Sequence, residues 1–115
     1  MDQEKKRLYE LHADLCGTMA NPRRLAILEC LHQGERSVTA IADELDVSIT
    51  AVSPHLRLLR DKNVVVTRKE GQTVFYSLRD PRMIEACHLI RGILLDGIKK
   101  QGDLAVAQLL AEARV

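Results

Sequence analysis

The sequence lacks several features that would point to secretion, membranes or catalysis. Its three cysteines, Cys16, Cys30 and Cys87, show no CxxC spacing, so a secreted disulfide framework is disfavoured and a reducing cytoplasm is expected. No apolar run is long enough to span a bilayer, and no signal-peptide core follows the charged start. No Ser/His/Asp or Cys/His arrangement, glycine-rich phosphate loop or carboxylate pair indicates a catalytic site. We therefore expect a cytoplasmic protein that is not an enzyme and has no membrane partner.

Charge of one sign is also scarce, since 17 Lys and Arg stand against 16 Asp and Glu, a formal net charge of +1. Any electrostatic attraction to nucleic acid must therefore come from how the charges are distributed. Basic residues cluster between Arg57 and Lys69, a stretch with Asp61 as its one acid. A DNA-binding strip and chance clustering on a solvated surface explain this equally well. The length, 115 residues, and the 46% of hydrophobic residues predict one globular domain over residues 1–115.

The most informative segment is residues 38–60, which reads as two short helices joined by a tight turn. The first helix carries Ile41 and Leu45, and the second starts at Ser48. Apolar residues recur on one face of the second helix, at Val52, Leu56 and Leu59. Its opposite face carries Thr50, Ser53 and Arg57, with His55 beside them. Short hydrogen-bonding groups and a cation suit base edges and phosphates, so this pattern predicts a DNA-binding helix-turn-helix.

Two β-rich runs follow at residues 64–78 and indicate a hairpin. The predicted strands cover residues 64–68 and 73–78, and Gly71 supplies the positive φ that a tight turn between them needs. A helix-turn-helix followed by a hairpin is a winged helix. The predicted fold class is therefore mainly α (α+β), a winged helix-turn-helix with a two-stranded wing.

Long apolar stripes lie outside this core, in helices expected over residues 1–19 and 80–100. The second stripe comprises Met83, Ile84, Cys87, Ile90, Leu94 and Ile98. Gly102 and Asp103 are expected to break the chain before a short closing helix over residues 104–113. A core this small cannot cover both stripes, so we expect the N- and C-terminal helices to form a two-fold homodimer. The alternative is that both helices fold back within one chain.

Three motifs in register resemble the ArsR/SmtB winged-helix repressors. They are Ala20–Leu28 (ANPRRLAIL), Ala51–Leu59 (AVSPHLRLL) and Gly71–Leu78 (GQTVFYSL). The resemblance covers roughly residues 8 to 100 in unbroken order. It implies a cytoplasmic homodimer that binds a palindromic operator in double-stranded DNA. It also implies release from that operator by an inducer, which can be a metal ion, a metalloid or an oxidised sulfur species.

The resemblance also places residues at the DNA by their position in the motifs. Those positions are Ser48, Thr50, Ser53, His55, Arg57 and Arg60 on the reading helix and Arg68, Lys69 and Gln72 on the wing. Pro54 departs from the family pattern, which usually has a polar residue there. Proline removes the helix hydrogen bond to the Thr50 carbonyl. It therefore either re-aims the neighbouring side chains or forms a tolerated local bend.

The family's known sensor sites are only partly matched. The two-cysteine metal motif before the reading helix is absent, and Arg82 stands where a ligand of the C-terminal helix site is expected. Cys30 and Cys87 lie away from the places where the persulfide-sensing branch has its cysteines. If the terminal helices meet, Cys16 and Cys87 could bind As(III) or another thiophilic ion, or be modified by reactive sulfur, since thiolates select soft metals. The remaining candidate ligands are Cys30, His12 and His88.

Other interpretations stay open. Free cysteines are among the most buried residue types, so all three could serve only packing in a ligand-independent regulator. A winged helix that binds protein and not DNA is a second alternative. A third, the dimerising winged helix of an enzyme such as a methyltransferase, is disfavoured because the sequence contains no cofactor-binding βαβ unit.

Overall fold

The computed structural model describes residues 1–101 and 104–113, and within them it contains six helices and three strands. The elements are α1 (Gln3–Met19), α2 (Pro22–His32), β1 (Arg36–Ser37), α3 (Val38–Leu45), α4 (Ile49–Asp61), β2 (Val65–Glu70), β3 (Thr73–Leu78), α5 (Arg82–Lys100) and α6 (Leu104–Ala113). This order confirms the predicted winged helix-turn-helix, in which α3 and α4 form the helix-turn-helix. The chain break predicted at residues 102–103 lies outside the described residues.

Polar side chains cap the starts of α2 and α3. Asn21 Oδ1 accepts hydrogen bonds from the backbone N–H groups of Arg23 and Arg24, at 3.0 and 3.1 Å. Ser37 Oγ accepts from the Ala40 N–H at 3.2 Å and so begins α3. These amides belong to the first helical turn and have no acceptor within the helix, so the caps fix where each helix begins.

Left-handed residues end the two helices of the helix-turn-helix. Asp46 closes α3 with φ 55° and ψ 47°, and the N–H of Val47 donates to the Ala42 carbonyl at 3.0 Å. Asn63 follows α4 closely, with φ 60°. Asn and Asp adopt this conformation more readily than most residues do, because their short side chains can hydrogen-bond locally. The tight turn holds the start of α4 against the end of α3.

The predicted two-stranded wing is confirmed as the β2–β3 hairpin, and a third strand, β1, adds to its sheet. The strand order is β1-β3-β2 and both pairings are antiparallel. The short β1 was missed because two residues carry no detectable alternation, and only its pairing with Phe75 and Tyr76 defines it. Strand β2 also runs to Glu70, opposite Thr73, so Lys69 lies within the strand and only Gly71 and Gln72 form the turn.

The core of the unit Met1–Pro81 is built where α2, α3 and α4 meet the base of the sheet. Its fully buried side chains are Ile27, Leu28, Ile41, Val52, Leu56, Leu59, Val64 and Val65. Each contributes roughly 1.5 to 3 kcal/mol through removal of apolar surface from water. This packing fixes the orientation of α4, because three of the eight residues belong to it.

Helices α1 and α5 both present apolar side chains to solvent. On α1, Leu8 and Leu11 are 62% and 52% exposed. Helix α5 belongs to a second unit that starts at Arg82, in which it contacts α6. Residues of the stripe predicted for α5 differ in exposure within one chain, since Ile84 is buried while Ile90 and Leu94 are exposed. The exposed group also includes Leu89 and Ile93, and the buried group includes Leu95. Among the described helices, none combines the length and apolar character needed to cross a membrane.

Candidate nucleic-acid interface

Helix α4 has one buried and one exposed face. The predicted apolar positions are fully buried, and the opposite face is open to solvent along the whole helix. The exposed side chains of α4 are Ile49, Thr50, Ser53, Pro54, Arg57, Arg60 and Asp61. Since the buried face anchors α4 to α2 and α3, the exposed face forms a surface that is fixed in orientation. A helix held in this way can enter the major groove.

Two serines at the start of α4 already use their hydroxyl groups within the helix. Ser48 Oγ accepts a hydrogen bond from the Ala51 N–H at 3.1 Å and therefore caps the helix. Ser53 Oγ donates to the Ile49 carbonyl at 2.8 Å. A hydroxyl carries only one proton, so Ser53 can offer a further partner an acceptor but no donor. Ser48, placed at the DNA by sequence position, thus has a structural role in starting α4.

Pro54 lies within α4, which continues without interruption from Ile49 to Asp61. Its ring is exposed on the same face as Thr50 and Ser53. With Ile49 and Arg57, these three residues line a shallow hollow of about 460 Å³, which we call the α4 hollow. Sequence reasoning missed Ile49, although it is 47% exposed and directly follows the cap.

His55 does not share this exposed face. Five positions along a helix correspond to a rotation of about 140°, so His55 is turned away from Thr50. The ring is half-buried, and its Nδ1 lies 3.5 Å from Arg24 Nη1 on α2. Burial lowers the pKa of His55 below its ordinary value, and the charges of Arg24 and Arg23 lower it further. Because an arginine donates and never accepts, Nδ1 is the acceptor of this contact.

Arg68 on the wing is held by carboxylates of its own chain. Its Nη2 lies 2.7 Å from Glu35 Oε1 and its Nη1 lies 2.8 Å from Glu70 Oε2. The guanidinium carbon also stands 4.8 Å from the centre of the Phe75 ring. The hydrogen bond from Arg68 lowers the pKa of Glu35, which keeps this carboxyl ionised. The predicted phosphate contact by Arg68 therefore competes with two carboxylates, while Lys69 and Gln72 are exposed at the wing end.

The C-terminal part of α1 is joined by polar contacts to α2 and to the end of α4. Asp14 Oδ2 lies 2.9 Å from the Nζ of Lys62, the residue that directly follows α4. Arg24 Nε donates to the Thr18 carbonyl at 2.5 Å, and Thr18 is buried. Sequence reasoning did not identify Arg24 as a bridge, since no local pattern pairs residues from α1, α2 and α4.

The candidate sensor residues differ in accessibility. Cys16 and His12 are exposed one turn apart on α1, Cys30 is buried in α2, and Cys87 and His88 are half-buried on α5. Burial raises the pKa of the Cys30 thiol, and the charge of Glu44 raises it further. Within the described residues, no group of three or more His, Cys, Asp or Glu side chains is arranged to hold a metal ion. The expected binding of As(III) or another thiophilic ion stays a prediction.

The fold and the exposed α4 face define a winged helix-turn-helix protein, and comparison with known proteins identifies its family. A family described as a helix-turn-helix domain matches residues 19–68. The chain is 43% identical over 74 residues to the nodulation protein NolR of Rhizobium meliloti, covering 64% of this chain and 61% of NolR. It is 47% identical over 77 residues to the transcriptional activator HlyU of Vibrio cholerae, covering 64% of this chain and 71% of HlyU.

Two further similar proteins have names that identify the family. The repressor SmtB of Mycobacterium tuberculosis is 30% identical over 101 residues, covering 88% of this chain and 70% of SmtB. The homodimeric winged helix-turn-helix domain Mb0332 of Mycobacterium bovis, a possible ArsR-family regulator, superposes with a TM-score of 0.74 at 30% identity. That superposition covers 84% of this chain and 93% of the domain. The chain belongs to the ArsR/SmtB family of helix-turn-helix transcriptional regulators, which are not enzymes.

Proposed function

We propose that this chain is a homodimeric transcriptional repressor that acts in the cytoplasm and binds a palindromic operator in double-stranded DNA. The observation that carries the proposal is the exposed face of α4, which presents Thr50, Ser53 and Arg57 on a helix whose other face is fully buried. In two protomers related by a two-fold axis, two such helices reach successive turns of the major groove, which explains why the operator would be palindromic.

Dimerisation is supported by the apolar side chains that α1 and α5 expose. Four large side chains of α5 are between 53% and 74% exposed, namely Leu89, Ile90, Ile93 and Leu94. A set of this size on one helix is typical of an interface rather than of a monomer surface. Sedimentation equilibrium should therefore give a dimer at micromolar concentration. A monomer under those conditions would refute this part of the proposal.

DNA binding is tested by selecting duplexes from a random pool with the full chain and then measuring affinity by fluorescence anisotropy. We expect the protein to prefer a selected palindromic duplex over unselected DNA by at least a thousandfold. The logarithm of the affinity should fall linearly with the logarithm of salt concentration, because cations that contact phosphates displace counterions. Failure to select any sequence would refute specific binding.

Variants of the exposed face separate base reading from phosphate contact. Ser53→Ala should weaken binding to the selected duplex more than binding to random DNA. Arg57→Gln or Arg60→Gln, if that side chain contacts a phosphate in each half-site, should reduce the salt slope by about 2, or about 1 per protomer. Val66→Ala, an exposed apolar change on β2, serves as a control that alters no charge. An unchanged preference for the selected duplex in Ser53→Ala would show that the reading face lies elsewhere.

Release by a thiol-reactive or metalloid inducer is the finer part of the proposal. The exposure of Cys16, with His12 one turn before it, supports this, since an accessible thiol can react or coordinate. Complexes with the selected duplex are titrated with As(III), Zn(II), Cd(II) and a polysulfide, using the reduced protein. We expect Cys16→Ser and Cys87→Ser to abolish release, while Cys30→Ser retains it. Full release from the variant that carries both Cys16→Ser and Cys87→Ser would show that these cysteines are structural. The proposal of DNA binding would not be affected by that result.

A further inference from the structure

The α4 hollow has an unusual chemical character for a surface that faces DNA. Ile49 begins the helix at the edge of the hollow and is 47% exposed. The Pro54 ring lies on the same side and is also exposed. Ile49 and Pro54 therefore give the hollow an exposed apolar surface beside the polar side chains of Thr50, Ser53 and Arg57.

The side chains that can donate hydrogen bonds to a ligand in the α4 hollow are those of Thr50 and Arg57. Pro54 has no backbone N–H, and the single hydroxyl proton of Ser53 is donated to the Ile49 carbonyl at 2.8 Å. The cationic group of the hollow is Arg57, two turns beyond Thr50. A surface with this composition can recognise an apolar group beside a phosphate or a base acceptor.

The major groove offers one apolar feature, the C5-methyl group of thymine. We infer that the α4 hollow is a specificity-determining site that receives a thymine methyl group in each half of the operator, against Ile49 and Pro54. This inference rests on the proposed function and adds the base class that α4 selects. Both side chains are conformationally restricted, Ile49 by β-branching and Pro54 by its ring, so little freedom is lost on contact.

The test removes the methyl group and nothing else. Each thymine of the duplex selected by the full wild-type chain is replaced in turn by uracil, and affinity is measured at fixed salt. We expect one thymine in each half-site to be sensitive to this replacement. Replacing it in a single half-site should weaken wild-type binding by about fourfold, the effect of withdrawing one methyl group from apolar contact. Replacement in both half-sites should weaken binding by roughly fifteenfold. If no replacement alters affinity for a specifically bound duplex, the inference is wrong and the proposed function stands.

Protein variants locate the contact. Ile49→Ala and Pro54→Ala should bind the thymine and uracil duplexes equally, because the apolar wall has been removed. The matched control is Arg57→Gln on the same face, which should weaken binding to both duplexes but keep the fourfold ratio between them. A ratio that persists in Ile49→Ala and Pro54→Ala would place the methyl contact elsewhere and refute the inference. Failure to select any duplex would refute it together with the proposed function.

Discussion

Substitutions at Ser48 distinguish two roles of this residue, namely starting the reading helix and contacting DNA. Its Oγ accepts a hydrogen bond from the Ala51 amide at 3.1 Å, and the same amide also lies 3.1 Å from the Ser48 carbonyl at the start of α4. Removal of such a cap costs about 0.5 to 2 kcal/mol. Because Ser48 is exposed, water can partly replace the lost acceptor. We therefore expect Ser48→Ala to lower the free energy of unfolding by about 1 kcal/mol and Tm by about 4 °C.

Ser48→Asp should behave differently in the two assays. A carboxylate caps a helix as well as a hydroxyl does, and its negative charge interacts favourably with the helix N-terminus by about 0.3 to 1 kcal/mol. Stability should therefore equal or exceed that of the wild type. Binding to the selected duplex should nevertheless weaken, since each protomer would bring a negative charge towards the phosphates.

The measurement is urea unfolding followed by circular dichroism, at one protein concentration for all variants because dissociation of a dimer contributes to the apparent stability. Ser53→Ala is the matched control, a serine of the same helix whose hydroxyl bonds within it, and should change stability by less than about 0.5 kcal/mol. The reasoning is refuted if Ser48→Ala is as stable as the wild type but binds DNA more weakly. That result would make Ser48 a DNA contact and not a cap.

Three further predictions concern charge and accessibility. Glu35→Gln should raise affinity for DNA and steepen its salt dependence, because Arg68 loses a carboxylate partner; an unchanged slope in anisotropy titrations would show that Arg68 does not reach DNA. Iodoacetamide should alkylate Cys16 well before Cys30, whose pKa is raised by burial, and equal rates in peptide mass spectrometry would contradict this. The lowered pKa of His55 means that the unfolded chain binds its proton more readily. Stability should therefore fall as pH drops below about 6.5, and less so in His55→Gln, as measured by urea unfolding.

Local signals account for most of what the sequence predicted correctly. A cap such as Asn21 or Ser37 acts on amides two or three residues away, so a short segment contains all the information. The left-handed Asn63 and the turn at Gly71 are equally local. The same reasoning predicts the buried face of α4, because its apolar spacing matches the helical period.

The errors arose where the determining partner is distant in sequence or where the helical period was applied loosely. Glu35 and Arg68 are 33 residues apart, and only the folded wing brings them together. Strand β1 likewise depends on its pairing with β3. His55, in contrast, could have been placed correctly from the sequence. At about 100° per residue, His55 lies about 40° around the helix from the buried Leu59 and about 140° from Thr50, so the helical period places it near the buried face.

If the proposed inducer acts at Cys16, the contacts of α1 with Lys62 and Arg24 provide a route to the reading helix. The exposed ion pair between Asp14 and Lys62 is weak by itself, since solvent screens it. The bond from Arg24 to the carbonyl of buried Thr18 is better protected, and Arg24 also contacts α4. Cys16 lies between the two α1 residues of these bridges. A modification or ion at Cys16 that shifts the end of α1 would therefore displace partners on both sides of α4, without any contact between inducer and DNA.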